Sequence, residues 1–136
     1  MSQPDQLFGK AWSINKNTSL FSTNWKPDSE TRLYEAVPGD GYRLTVAGVH
    51  NGKAYRWGYT AFYDGKDHPV YGREDVDTIE AYRVNDKITI GFFKKDGIYG
   101  GPYARKLSED GKSLTVQTVG KLPDGSAFFD VIDYSS

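Results

Sequence analysis

Two histidines, a set of tyrosines and two carboxylates inside apolar runs are the residues of this 136-residue sequence whose types could do chemistry. His68 stands in Asp64-Gly65-Lys66-Asp67-His68-Pro69. A turn histidine beside Asp67 could act as general acid or base near neutral pH. His50 opens the hairpin signal His50-Asn51-Gly52-Lys53 and would project from a strand end. The competing reading for both is a solvated turn residue, and their positions alone do not bring them together. Glu80, in Thr78-Ile79-Glu80-Ala81-Tyr82, and Asp130, in Phe128-Phe129-Asp130-Val131-Ile132, interrupt apolar strand patterns. Facing a cavity, either would be desolvated and its pKa pushed up toward proton transfer; facing out, it is an ordinary surface charge. Arg56, Arg83 and Arg105 lie on the same kind of strand and could pair with them or steady an anionic group.

The aromatic residues carry the stronger signal for binding. Strict alternation after Lys53 puts Tyr55, Trp57, Tyr59, Ala61 and Tyr63 on one face. The preceding run groups Tyr42, Leu44, Val46 and Gly48 and ends at His50. Later runs offer Ile88, Ile90 and Phe92, then Tyr99, Gly101 and Tyr103, then Phe128, Asp130 and Ile132. Several inward tyrosines argue for a polar-dotted cavity, since a dry core would more simply use Phe or Leu. Ordinary core packing is the competing reading. In Tyr99-Gly100-Gly101-Pro102-Tyr103 the glycines mark a bulge, the approach of a ligand or a barrel corner. The expected ligand-binding set is therefore Tyr55, Trp57, Tyr63, Tyr99, Glu80, Phe128 and Asp130. For an enzyme, His50 or His68 would shuttle the proton, with Tyr59 and Tyr103 as hydrogen-bond donors.

These residues need strands to hold them. Turn signals recur along the chain: Pro38-Gly39-Asp40-Gly41, Asn51-Gly52, Asp64-Gly65, Asn85-Asp86, Asp96-Gly97, Asp110-Gly111 and Pro123-Asp124-Gly125. Between them the alternation predicts strands near 8–14, 29–36, 42–49, 54–63, 77–84, 87–94, 98–106, 113–119 and 127–134, with a short one near 68–71. The polar stretch 15–28 reads as a loop or one helical turn, and no segment carries a long 3.6-residue apolar period. Successive hairpins with no long return connection favour closure, which removes sheet edges. The expectation is an all-β chain, residues 1–136 forming a single up-and-down antiparallel barrel of about 8–10 strands with an internal cavity.

Composition narrows the function. Seventeen Lys and Arg against eighteen Asp and Glu leave a net charge of −1, which excludes a nucleic-acid or anionic-membrane surface built on bulk charge. No cysteine is present, so disulfides, thiolate nucleophiles and Cys-based metal sites are out; two histidines are too few for a multi-histidine centre. Dinucleotide, P-loop, nucleophile-elbow and zincin motifs are all missing, and no cofactor is expected. No run approaches the ~20 apolar residues of a membrane span. The opening Met1-Ser2-Gln3-Pro4-Asp5-Gln6 has neither a basic start nor an apolar core, so a cytoplasmic location is expected. The expected partner is a small molecule; oligomeric state is not readable.

Several segments carry a family resemblance. Gly9-Lys10-Ala11-Trp12-Ser13-Ile14-Asn15, Thr31-Arg32-Leu33-Tyr34-Glu35, Trp57-Gly58-Tyr59-Thr60-Ala61-Phe62-Tyr63-Asp64-Gly65-Lys66-Asp67-His68-Pro69-Val70 and Ser108-Glu109-Asp110-Gly111-Lys112-Ser113-Leu114-Thr115-Val116 are similar to a bacterial lipocalin-like, calycin-type family of small proteins. The chain departs from that pattern by an extra residue between Gly9 and Trp12 and by His68 where the family pattern has Tyr. The resemblance implies an up-and-down barrel with a pocket for a small, partly apolar molecule. Such barrels host transport and several lyase or isomerase chemistries, so fold alone does not choose. Binding of a small aromatic or hydrophobic metabolite is the first expectation. A cofactor-free isomerase, lyase or cyclase in the same pocket is the second, and a filled structural barrel the third.

Overall fold

The computed structural model describes residues 7–22, 26–121 and 124–136. Readings that fall on 1–6, 23–25 or 122–123 lie outside the described residues. Ten strands follow in chain order: β1 (Ala11–Leu20), β2 (Ser29–Val37), β3 (Gly41–His50), β4 (Lys53–Phe62), β5 (His68–Tyr71), β6 (Thr78–Arg83), β7 (Ile88–Lys95), β8 (Ile98–Leu107), β9 (Ser113–Lys121) and β10 (Ala127–Ser135). Each pairs antiparallel with its sequence neighbours, and β1 pairs with β10, closing the barrel. The expected all-β, up-and-down barrel is what the chain forms.

Two of the turns are fixed by residue type. Asn51-Gly52 and Asp96-Gly97 are two-residue hairpins, closing His50↔Lys53 and Lys95↔Ile98. All four residues have positive φ, between 51° and 76°, the type I′ geometry whose twist matches flanking strands. In a meander, alternate connections share an end. The two hairpins, the β5–β6 loop and the β9–β10 turn therefore surround one mouth of the barrel. The β2–β3, β4–β5, β6–β7 and β8–β9 turns surround the other.

That second end is filled. Leu7, Trp12, Tyr42, Ala61, Leu107 and Leu114 are each 2 % exposed or less, and the Trp12 indole N–H donates to the Leu7 carbonyl at 3.1 Å. Gly9 N–H donates to the Tyr34 carbonyl at 3.0 Å, which folds residues 7–10 back against β2.

Three sequence expectations are corrected. The polar stretch after Ile14 is strand, since β1 continues to Leu20. A bulge between Asn15 and Leu20 absorbs the polar residues: Ser19 Oγ donates to the Asn15 carbonyl at 2.7 Å and accepts from the Asp133 N–H at 2.9 Å. In β7 the inward face is Thr89, Gly91 and Phe93 rather than Ile88, Ile90 and Phe92. Gly91 leaves room for Tyr103, whose Cε1 lies 2.3 Å from where a Cβ would stand. Phe92 instead packs outside, between Tyr82 and Tyr99 at ring distances of 6.3 and 5.3 Å. In β8 the register slips opposite Phe93 and Lys94, skipping Gly100, so the glycine pair is a bulge. The slip puts Tyr99 on the outer surface, 59 % exposed, although Tyr103 faces in.

Candidate functional site

The mouth bounded by the two tight hairpins leads into a cavity of about 800 Å³. Its wall is built from the inward positions of β2, β4, β7 and β10: Glu30 and Arg32, Tyr55 and Trp57, Phe93, then Phe128, Asp130 and Ile132. A smaller chamber of about 50 Å³ continues deeper, lined by Tyr34, Leu44, Tyr59, Tyr103 and Arg105 among others. Arg32, Trp57, Arg73, Phe93 and Thr118 line both, so the two spaces share a wall. The outer volume is within the usual range for a small-molecule site.

Aromatic rings dominate this shared wall. Trp57 stacks along Tyr59 with centroids 6.3 Å apart, and Phe93 meets Trp57, Tyr59 and Tyr103 at 6.3, 6.4 and 5.3 Å. Two guanidiniums lie over the Trp57 ring, Arg73 at 4.7 Å and Arg32 at 5.7 Å. Arg73 is held from the β5–β6 loop by a two-pronged pair with Asp75, at 2.9 and 2.6 Å.

Beneath the aromatics, three hydroxyls form a chain. Tyr42 bonds Tyr59 at 2.8 Å and Tyr103 at 2.9 Å. Burial pushes the pKa of all three phenols up, so at neutral pH they are hydrogen-bonding groups and not anions. Arg105 is 4 % exposed and lies 4.8 Å over both Tyr34 and Tyr42. Its Nη2 donates to Thr89 Oγ1 at 2.8 Å and to the Tyr63 hydroxyl at 3.4 Å, while its buried Nη1 has no hydrogen-bond partner.

Glu30 is the buried carboxylate of the cavity wall. It accepts from the Tyr55 hydroxyl at 2.7 Å and from the Tyr134 hydroxyl, and Arg32 Nε lies 3.5 Å away. Arg32 also donates to Tyr134 at 2.9 Å. Burial and the adjacent Glu30 carboxylate together hold the Tyr55 phenol well above its ordinary pKa.

The expected residues divide. Tyr55, Trp57, Phe128, Asp130 and His50 line the outer cavity, and Tyr59 and Tyr103 the deep chamber. Asp130 is anchored there by the Ser22 N–H at 3.0 Å and its hydroxyl at 3.3 Å. Tyr63 lies below, its ring 5.7 Å from Tyr42. Glu80 points outward, alternating with the fully buried Ile79 and Ala81. Lys94 at 3.3 Å and the Tyr99 hydroxyl at 3.0 Å cover it, so its burial comes from the outer surface and neither Glu80 nor Tyr99 belongs to the cavity. His68 is at the filled end, bonded to Asp64 at 2.9 Å and not to Asp67. The two histidines thus sit at opposite ends.

Glu30, Arg32 and Arg73 were not among the expected residues. The signal for the first two lies in pairing: Glu30, Arg32 and Tyr34 stand opposite Gly48, Val46 and Leu44, whose inward face the alternation gives. Among the described residues no cluster of His, Asp and Glu could hold a metal ion, and no helix is long and apolar enough to cross a membrane. The closed barrel is compatible with a lipocalin-like fold. Compared with known proteins, the chain matches no family model, no curated protein and no solved structure.

Proposed function

We propose that the barrel binds a small, partly apolar molecule in its open half, as a lipocalin-like binding protein would. The observation that carries this is the cavity of about 800 Å³ walled by Tyr55, Trp57, Phe93 and Phe128. Flat apolar surface favours a planar or cyclic body, and the hydroxyls and charges at its edges fix orientation. Titration of tryptophan fluorescence with aromatic and polycyclic metabolites tests it. Saturable quenching that is reduced in Trp57→Phe is the expected result, because Trp57 lines both chambers whereas Trp12 is sealed in the filled end. A panel that produces neither quenching nor heat in calorimetry would overturn the reading.

One arrangement favours a second reading, a cofactor-free acid–base enzyme in the same cavity. Glu30 is a buried carboxylate in the wall with two phenols on it, a set that can pass a proton. Mass spectrometry of each titrated mixture separates the two. Conversion that stops in Glu30→Gln while binding persists would make the protein an enzyme; unchanged ligand throughout would leave it a binding protein.

A further inference from the structure

Three arginines, Arg32, Arg73 and Arg105, line the deep chamber, and no carboxylate lines it among the described residues. Two of the three are neutralised from outside it. Arg73 forks onto Asp75, and Arg32 lies 3.5 Å from Glu30. Arg105 has neither. Its hydrogen bonds go to one threonine and one tyrosine hydroxyl, it forms no ion pair within 4 Å among the described residues, and Nη1 makes no hydrogen bond. The faces of Tyr34 and Tyr42, each 4.8 Å away, complete its surroundings. A guanidinium cannot shed its proton to escape the penalty of burial, so a fully buried one normally carries a carboxylate or phosphate with it. The hydroxyls beside it carry no charge to balance the guanidinium, and those of Tyr59 and Tyr103 on the same lining can donate to a carboxylate held there.

Resting on the binding reading above, we infer that the ligand is an amphipathic organic carboxylate that enters acid group first. Its carboxylate takes the deep chamber on Arg105, with Tyr59 and Tyr103 as neighbours, and its apolar body lies along Trp57 and Phe93 toward the mouth. The deep chamber, about 50 Å³, is far smaller than the outer cavity of about 800 Å³, so it suits the compact acid group and leaves the larger space to the apolar body. The order of the two spaces therefore sets the orientation: head inside, body outside.

The test uses matched probes that differ only in charge: naphthalene-2-carboxylate against naphthalene-2-carboxamide, and dodecanoate against dodecanamide. Each is titrated into the full chain by calorimetry at neutral pH. The carboxylate is expected to bind about tenfold or more tighter than its amide, as a desolvated charge-assisted contact should. In Arg105→Met the preference is expected to fall to about twofold or less, with the carboxylate losing more affinity than the amide. Equal affinity of the two probes in the wild type would overturn the inference and leave the cavity reading standing. A preference that survives Arg105→Met would also overturn it, moving the charge recognition to the rim. If neither probe of either pair binds, the cavity reading falls and this one with it. Equal affinities in the wild type overturn the inference even if Arg105→Met fails to fold.

Discussion

Below the level of the Tyr42 hydroxyl the barrel is solid, and above it the same strands enclose space. β4 shows the change along one face: Ala61 is fully buried and Tyr59 nearly so, while Trp57 and Tyr55 are only half-buried along the cavity. β2 does the same in reverse, from Tyr34 in the core to Arg32 and Glu30 on the wall. The filled end satisfies its polar groups internally, as the Trp12 indole N–H does on the Leu7 backbone carbonyl. The open half keeps buried charges, which packing alone would replace with leucine. An interior divided between a filled end and an open, charged half separates the work of holding the fold from that of receiving a ligand.

Trp12→Ala should break the solid half. Removing a fully buried indole costs about 3–5 kcal/mol, which for a domain of this size lowers Tm by on the order of 10 °C or more. Differential scanning calorimetry reads it. Protein that remains folded should keep its ligand affinity, since Trp12 touches neither chamber; a loss of affinity in folded protein would show the two halves to be coupled.

Glu30→Gln tests the opposite half. It leaves Arg32 buried without its carboxylate and weakens the bonds from Tyr55 and Tyr134, a cost of about 2–4 kcal/mol by denaturant unfolding. If stability is unchanged, the charges of the open wall are solvated by the cavity, and the wall is looser than its burial implies.

Tyr42 sits at the boundary. Tyr42→Phe strips two buried hydroxyls of their shared partner, for about 1–3 kcal/mol. The same phenols give the chain an alkaline limit. Folded, Tyr42, Tyr59 and Tyr103 hold their protons more tightly than the ordinary phenol of pKa 10.0. Their stabilisation is complete below that value and is lost as pH rises above it, because the unfolded chain ionises first. Tyrosinate absorbance should therefore rise in a step that coincides with unfolding by circular dichroism. Ionisation of all the tyrosines ahead of unfolding would mean that water reaches the hydroxyl chain from the cavity.

How much of this could be read beforehand follows from what alternation does and does not carry. Faces were legible where rings or aliphatics alternate with small or polar residues, as in β3 and β4, and the tight hairpins announced themselves through Asn-Gly and Asp-Gly. They were not legible in β7, where apolar residues occupy both faces and the inward glycine is a space left for Tyr103. Nor was the β8 bulge, which moves Tyr99 outside by one skipped residue. Glu30 and Glu80 make the point most directly. At 6 % and 5 % exposure they are equally buried, yet one belongs to the cavity and the other lies beneath Lys94 and Tyr99 on the outer face. Only the pairing register separates them.

His68 supplies the smallest effect and the cleanest control. Its bond to Asp64 lies in a turn at the filled end, and that bond draws the Asp64 pKa below the ordinary carboxylate value. Asp64 is exposed, so solvent screens the pair and its worth is small. A carboxylate whose pKa is depressed by folding contributes only above its unfolded pKa, so any benefit of the pair fades as pH falls into the acid range. His68→Ala should change stability at neutral pH less than any of the substitutions above and leave every ligand affinity untouched. His50→Ala, on the mouth of the cavity, is the paired measurement. If His68→Ala weakens ligand binding as much as His50→Ala does, the two ends communicate and the division between them is not the one the side chains draw.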